Sequence, residues 1–133
     1  MVRANLDGLP RFPLPPTFCI RWYRSGDEVH WQTIQEDAEK LLRVTPTLFR
    51  EQFGHDEQVL AKRQAYLCTA TGCPIGTATA WADSDYDGRH WGRVHWVAIR
   101  RAWQRRGLSK PLLTAVCDRL VFLGGEAHNR LIC

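Results

Sequence analysis

A run of β-forming residues, a basic loop with one glycine and an apolar helical run follow one another in residues 97–113, VAIRRAWQRRGLSKPLL. This order predicts a strand that turns through the loop into the N-terminus of a helix. There the backbone N–H groups and the positive end of the helix dipole point at one place. Gly107 has no Cβ, so a phosphate can approach the backbone closely. Positive charge comes from Arg105, Arg106 and Lys110, and we therefore expect an anion site for a phosphate or diphosphate.

The basic residues of the chain are concentrated around this loop. The formal net charge is +4 at pH 7, and residues 88–117 contain no Asp or Glu. The same segment holds seven basic residues, which are Arg89, Arg93, Arg100, Arg101, Arg105, Arg106 and Lys110. This distribution favours an anionic ligand bound at the loop over a uniformly basic surface.

Upstream of the loop, the pattern predicts a strand, two helices and a hairpin. The first strand is FCIRWY at 18–23, and a helix capped by Asp27 follows it. Its apolar stripe consists of Trp31, Ile34, Ala38, Leu41 and Leu42. A second helix has Thr45 as its cap and ends at Gly54. The segments QAYLCTA and CPIGTATAWA then form an antiparallel hairpin around Thr71 and Gly72.

A central strand and a long helix complete the predicted fold. RVHWVAI at 93–99 is apolar on both faces apart from His95, as in a strand with neighbours on each side. The helix after the basic loop ends at Gly124, and its apolar stripe consists of Leu112, Leu113, Val116, Cys117, Leu120 and Val121. The terminal HNRLIC begins like another strand, with no partner beyond it in the chain. Either the fold closes with very little, or the chain is a piece truncated after its third main helix, and we favour the truncation.

Composition places these elements in one domain. The chain has 133 residues, and we expect a poorly ordered lead-in at 1–17 and one domain at 18–133. No apolar run approaches the roughly 20 residues that span a bilayer. The N-terminus does not have the pattern of a signal peptide, so we expect a cytoplasmic protein. The five cysteines contain no CxxC pair and no histidine at zinc-ligand spacing, which predicts reduced thiols and no metal site.

The basic loop and the strand before it resemble the acetyl-CoA-binding motif of the GCN5-related N-acetyltransferases. That motif is a strand ending hydrophobic-Ala-hydrophobic, then Gln/Arg-x-x-Gly-x-Gly/Ala and a helix. The matching residues are Val97, Ala98, Ile99, Gln104, Arg105, Arg106, Gly107, Leu108 and Ser109. Ser109 departs from the pattern, since the family usually has glycine or alanine there. The resemblance extends over 18–133 and implies an α/β (α+β) fold, with a mixed, mostly antiparallel central sheet flanked by helices.

The resemblance also implies a cofactor and an activity. The cofactor would be acetyl-CoA, with its pantetheine arm along 97–99 and its pyrophosphate on the backbone amides of 105–110, Lys110 included. The activity would be direct transfer of the acetyl group to a primary amine. The acceptor stays open between a small molecule, a peptide N-terminus and a lysine.

A transferase of this class needs a base, or a water leading to one, near the acetyl carbonyl, because the attacking amine must be neutral. Family members often place a glutamate on the strand before Ala98, but here that stretch has none and Arg93 occupies the position. His95 is the candidate base, because its ordinary pKa is about 6.5; the alternative is a hydrogen-bonded core or cleft histidine. We expect it to share a strand face with Val97 and Ile99. Weaker candidates are Asp83, Asp85 and His90 as bases and Tyr86 as the acid.

Two other functions and two structural questions remain open in the sequence. The chain could be a non-catalytic coenzyme A-binding or regulatory module, or a nucleic-acid-binding domain, although no nucleic-acid-binding motif is recognisable. An exposed sheet edge would favour a homodimer. The tryptophans near the predicted cleft either line a substrate pocket or pack in the core, and we favour the core. They are Trp81, Trp91, Trp96 and Trp103.

Overall fold

A computed structural model of the chain describes residues 2–3, 12–39, 43–83, 91–124 and 130–132. The strands are β1 (Val2–Arg3), β2 (Phe18–Trp22), β3 (Gln64–Thr69), β4 (Pro74–Asp83), β5 (Trp91–Ile99) and β6 (Arg130–Ile132). The helices are α1 (Glu28–Ala38), α2 (Leu48–Phe53), α3 (Glu57–Arg63) and α4 (Ser109–Gly124), and a 3₁₀ turn at Arg101–Trp103 precedes α4. The predicted mixed, mostly antiparallel sheet flanked by helices is confirmed.

The strands form one sheet in the order β1-β6-β5-β4-β3-β2. Every neighbouring pair is antiparallel except β5 and β6, which run parallel with α4 as the connection between them. The predicted hairpin is confirmed as β3 and β4. Its turn contains Gly72 at φ 87°, a left-handed conformation that glycine adopts without steric cost.

The terminal strand β6 has its partners earlier in the chain. The backbone of β6 pairs with β5 from Trp91↔Arg130 to Arg93↔Ile132, and on its other side with β1 at Val2↔Ile132. β5, α4 and β6 form a strand–helix–strand unit, whereas β1 lies at the opposite end of the chain. Two residues of the predicted lead-in therefore lie in a strand, while 4–11 fall outside the described residues.

Helices cover both faces of the sheet, and alternation along β3 shows the division. Ala65 and Leu67 pack on the face covered by α4. This helix contributes Leu112, Val116 and Leu120 to the same core. Tyr66 and Cys68 pack on the opposite face, against a cluster that includes Trp31 and Ile34 of α1 and Phe49 and Phe53 of α2. Period-two alternation in the strand thus builds two separate cores.

The face under α1 also contains polar groups. The Tyr66 hydroxyl donates to the Gln64 side chain and lies 3.2 Å from the Asp27 carbonyl, and Gln64 donates to Thr79 at 3.2 Å. All of these side chains are buried. Burial raises the pKa of Tyr66 well above its usual range, so this hydroxyl stays a neutral donor.

The helix starts differ from the prediction in detail. Asp27 precedes α1 as predicted, but its carboxylate does not cap the helix; it bonds Arg21 instead. The α2 cap is Thr47 and not Thr45, while Gly54 ends α2 as predicted. The predicted α1 stripe extended to Leu41 and Leu42, which lie outside the described residues; α1 ends at Ala38.

The short helix α3 was not predicted. Its N-cap is Asp56, whose carboxylate accepts hydrogen bonds from the backbone N–H groups of Gln58 and Val59. Glu57 in the first turn and basic residues in the last turn complement the helix dipole. An Asp followed by acidic and then basic residues is a start and stop signal that could have revealed this helix.

The described residues contain neither a membrane helix nor a metal cluster. No helix among them is long and apolar enough to cross a bilayer. Within the same ranges no group of three or more His, Cys, Asp or Glu side chains could hold a metal ion. Cys19, Cys68 and Cys73 are free thiols, and burial raises the pKa of Cys68.

Candidate functional site

A cleft of about 400 Å³ lies where β5, the basic loop and the end of α1 meet. Eight of the ten predicted cofactor-binding residues line it, and these are Val97, Ala98, Ile99, Gln104, Arg105, Gly107, Leu108 and Ser109. The other lining residues are Ala38, Glu39 and Trp103. The predicted motif therefore comes together around one concave surface, and Arg106 and Lys110 lie outside its lining.

A β-bulge shapes the strand floor of the cleft. Thr77 pairs with Ala98 while Thr79 pairs with His95, so Trp96 and Val97 both oppose a single β4 residue. Trp96 has φ 54°, which is uncommon for a residue with a side chain. The Trp96 carbonyl accepts a hydrogen bond of 3.0 Å from Gln35 of α1. The bulge bends β5 and re-aims the side chains on either side of it.

Among the described residues, the backbone of β5 beyond the bulge has a sheet neighbour on one side only. The Arg100 N–H donates to the Ile75 carbonyl at 2.8 Å, and in an antiparallel pair this alternation turns the N–H and carbonyl of Ile99 away from β4. On that side the described part of β6 pairs only with 91–93 of β5. Gln104 Nε2 reaches the Ile99 carbonyl at 2.7 Å. An extended ligand could hydrogen-bond along this open edge, where Val97 is 42% exposed.

Two left-handed residues form the basic loop. Arg105 has φ 64° and Gly107 has φ 74°. A Cβ added to Gly107 would find nothing within 4 Å, so the space in front of this backbone is open. Leu108 is 4% exposed and anchors the loop in the core below. Successive N–H groups at such a turn, followed directly by the N-terminus of α4, form an anion-binding concavity.

Basic side chains surround the loop, and two of them stack on aromatic rings. The Arg106 guanidinium lies 5.0 Å from the centroid of the Trp103 ring. The Lys110 ammonium lies 5.2 Å from the centroid of the Phe12 ring. Arg105, Arg106 and Lys110 are all exposed. Their charges can therefore act on an anion at the loop while their aliphatic stems rest on the protein.

The end of α1 contributes cleft residues that the sequence analysis missed. Ala38 and Glu39 line the cleft, and Asp37 Oδ2 accepts a hydrogen bond of 2.7 Å from the Arg101 N–H. Asp37 also lies 3.6 Å from Arg100 Nε. Only the tertiary fold brings α1 beside the basic loop, and no pattern within α1 indicates this contact.

His95 lies on a different face of β5 from the one predicted. The expectation was a face shared with Val97 and Ile99. His95 instead contacts Phe53 of α2, with ring centroids 5.9 Å apart, whereas Ile99 packs in the core under α4. The reason is the bulge, because one extra residue reverses the side-chain alternation beyond it. His95 therefore shares its face with Ala98, and it does not line the cleft.

The other residues named in the sequence analysis fall into three groups: residues that are not described, residues of which only the backbone is described, and tryptophans. Asp85, Tyr86 and His90 lie outside the described residues. Asp83, Trp91 and Arg93 lie in β4 and β5, but only their backbones are described. Trp81 and Trp96 pack in the aromatic core with Trp31 and Phe53. Trp103 both lines the cleft and packs edge-on against Phe18 at 5.6 Å.

Comparison with known proteins agrees with this arrangement. The sequence profile of the acetyltransferase (GNAT) family matches residues 18–130. No curated protein sequence matches the chain significantly. Solved structures do: a GCN5-related N-acetyltransferase from Sphaerobacter thermophilus is 20% identical with a TM-score of 0.68, over 92% of this chain.

Two further structures show the same fold. The ribosomal-protein-S18-alanine N-acetyltransferase of Escherichia coli is 20% identical, with a TM-score of 0.62 over 80% of this chain. N-acetylglutamate synthase of Neisseria gonorrhoeae, solved with coenzyme A and N-acetyl-glutamate, is 20% identical with a TM-score of 0.61 over 84%. The chain spans 37%, 61% and 24% of the three structures, respectively.

Proposed function

The chain belongs to the acetyltransferase (GNAT) family, and we propose that it binds acetyl-CoA in the cleft and transfers the acetyl group to a primary amine. One observation carries the proposal. The open edge of β5, the left-handed loop and the N-terminus of α4 all border one cleft. The acceptor class is a small-molecule amine, a peptide N-terminus or a lysine.

The described residues fit this cofactor. The pyrophosphate would bind the backbone of 105–110, where the space in front of Gly107 is open and three exposed basic side chains are near. The pantetheine arm would bond to the outward-facing backbone at 97–99. Asp37 supports the same corner from α1 by holding the Arg101 N–H.

The chemistry requires one proton acceptor in the protein. Bound acetyl-CoA supplies the thioester carbonyl that the amine attacks. The amine nitrogen forms a bond to that carbon while the C–S bond breaks, the amine proton passes to a base, and the departing thiolate takes up a proton. We assign the base to His95, because it shares a face of β5 with the cleft residue Ala98, which lies just beyond the bulge. Glu39, at the cleft wall, is the carboxylate to test beside it.

The first test is acetyl-CoA binding by calorimetry, with Gly107→Glu compared against Gly107→Ala. Both variants place an L-residue at φ 74° and so share a backbone cost of roughly 1–2 kcal/mol. Only glutamate puts a negative side chain into the phosphate position. We expect Gly107→Ala to retain binding and Gly107→Glu to bind at least about tenfold more weakly. Equal affinity of all three proteins, or no binding by folded wild type, would remove the cofactor assignment.

The same protein preparation is then assayed for acetyl transfer. Release of the free thiol of coenzyme A is followed with a panel of primary amines that includes free amino acids, polyamines and N-terminal peptides. We expect His95→Gln to reduce the rate by about a hundredfold or more while leaving acetyl-CoA affinity unchanged. Loss of rate in Glu39→Gln instead would move the base to Glu39. Binding without turnover of any amine would indicate a coenzyme A-binding module.

A further inference from the structure

A single amide oxygen lies between two ring nitrogens at the start of the bulge. Gln52 of α2 places its Oε1 3.1 Å from the Trp96 indole Nε1 and 3.3 Å from His95 Nε2. The two rings are edge to face, with centroids 5.6 Å apart. Gln52 and His95 are both partly buried. This small cluster joins α2 to β5 beside the cleft.

The chemistry of these groups determines where their hydrogen atoms lie. An indole N–H can only donate, so the Gln52 atom that faces Trp96 must be the oxygen and not the amide nitrogen. A carbonyl oxygen has two lone pairs and can accept a second hydrogen bond. His95 Nε2 faces the same oxygen, and two acceptors would repel each other there. Nε2 therefore carries a hydrogen in the neutral ring.

We infer that Gln52 is a positioning residue that holds the neutral His95 ring in its Nε2–H tautomer, so that Nδ1 is the nitrogen that takes up a proton. The tautomer assignment stands on the geometry alone, and its catalytic consequence rests on the proposed function. In acetyl transfer the amine proton passes to Nδ1, and the Gln52 carbonyl dipole stabilises the N–H that remains on Nε2 of the imidazolium. The other steps of the proposed acetyl transfer are as described above.

The surrounding structure restricts the movement of this cluster. Trp96 is held on its backbone side by Gln35 and on its ring side by Trp31, whose centroid is 5.4 Å away. Phe53, next to Gln52 in α2, packs against the His95 ring. The contacts of His95 that carry the inference, Gln52, Phe53 and Trp96, are uncharged. Of the charged residues of α2, Arg50 bonds His55 and Glu51 bonds Thr47.

The direct test is the tautomer of His95, measured by long-range ¹H–¹⁵N correlation spectra of the full chain near pH 8, above the ordinary pKa of an imidazole. The signals of His95 are those that disappear in His95→Gln. We expect wild-type His95 to be protonated at Nε2. Gln52→Met keeps the side-chain length but has no strong acceptor, and we expect a mixture of both tautomers. An Nδ1–H ring in wild type, or an unchanged tautomer in Gln52→Met, would overturn the inference.

A second variant keeps the test decisive if Gln52→Met does not fold. Gln52→Glu retains an acceptor of the same length and adds a negative charge, so His95 should keep its Nε2–H tautomer. The measured pKa of His95 should rise by about one unit, because a nearby carboxylate stabilises the imidazolium. An unchanged pKa of His95 would contradict the contact between Gln52 and His95. Gln58→Met, on the exposed surface of α3, is the matched control and should change neither quantity.

The kinetic consequence is measured with an amine that wild type acetylates. Gln52→Glu should move the acidic limb of the kcat/KM profile to higher pH by the same unit while acetyl-CoA affinity stays constant. A merely structural role would change stability and leave that limb in place. If wild type acetylates no amine while the spectra show the expected tautomers, the proposed function fails and the tautomer assignment stands.

Discussion

At the scale of single residues, Asp27 combines burial with charge pairing. Its side chain is 6% exposed and forms two hydrogen bonds with Arg21, at 2.7 and 2.9 Å. The Arg24 N–H also donates to it at 2.7 Å. Burial alone would raise the pKa of Asp27, but the bonds from Arg21 and Arg24 outweigh burial and hold it below its ordinary value. Because its pKa is lowered on folding, the ionised form of Asp27 stabilises the folded state.

We therefore expect Asp27→Asn to lower the free energy of unfolding by about 2–3 kcal/mol at pH 7, since it leaves the Arg21 charge without its carboxylate. The contribution of Asp27 is present above its ordinary pKa of about 3.9 and is lost as the pH falls through the lower folded value. Urea unfolding at pH 7 and near pH 3 measures both effects, and the variant should differ from wild type less in acid. Glu36→Gln, exposed on α1, is the control. Equal stability of Asp27→Asn and wild type at pH 7 would contradict this role.

At the scale of elements, α3 shows how one cap supports a short helix. Asp56 Oδ1 accepts from the Gln58 and Val59 N–H groups at 3.0 and 3.2 Å. Leu60, 1% exposed, is the residue by which α3 joins the core. A helix of two turns has little intrinsic stability, so its position depends on this cap and this anchor.

Removal of the cap should therefore be measurable. We expect Asp56→Ala to lower the free energy of unfolding by about 1 kcal/mol, because two backbone N–H groups lose their acceptor. Asp56→Asn keeps an accepting oxygen and should cost only a few tenths. Thermal and urea unfolding of the two variants give the comparison. Equal losses in both would mean that the charge of Asp56, and not its cap geometry, supports α3.

At the scale of the whole molecule, positive charge is concentrated at the cofactor corner. Arg101, Arg105, Arg106 and Lys110 are exposed there, whereas Arg100 lies beside Asp37. An anionic cofactor should therefore be attracted by several charges at once. The predicted homodimer concerns the sheet edges and stays a prediction.

We expect acetyl-CoA affinity to fall about three- to tenfold between 0.05 and 0.5 M NaCl, because salt screens exposed charges. Calorimetry at both salt concentrations measures this change. Random-sequence duplex DNA is the comparison ligand and should bind weakly, without competing for the cleft. Tight, steeply salt-dependent DNA binding together with no response to acetyl-CoA would instead assign the corner to a nucleic acid.

Local patterns in the chain were sufficient to predict the β3–β4 hairpin, the central strand β5 and the helix α4, in which Leu112, Val116 and Leu120 of the predicted stripe are buried. These features depend on alternation, turn residues and helix periodicity within a few residues, and such signals are readable without the rest of the fold. The family resemblance, and not periodicity, predicted that 97–99 and 104–109 bind one ligand, and in the structure all of these residues except Arg106 line one cleft.

The tertiary structure decided what depends on contacts between distant segments. The bulge at Trp96 reversed the predicted face of His95, because the strand register is determined jointly with β4. The fold placed Glu39 in the cleft wall and Gln52 against His95 from helices far upstream. It also inserted β6 between β5 and β1. Each of these outcomes minimises the free energy of the whole packed chain, and that sum over distant neighbours is not contained in any local stretch of sequence.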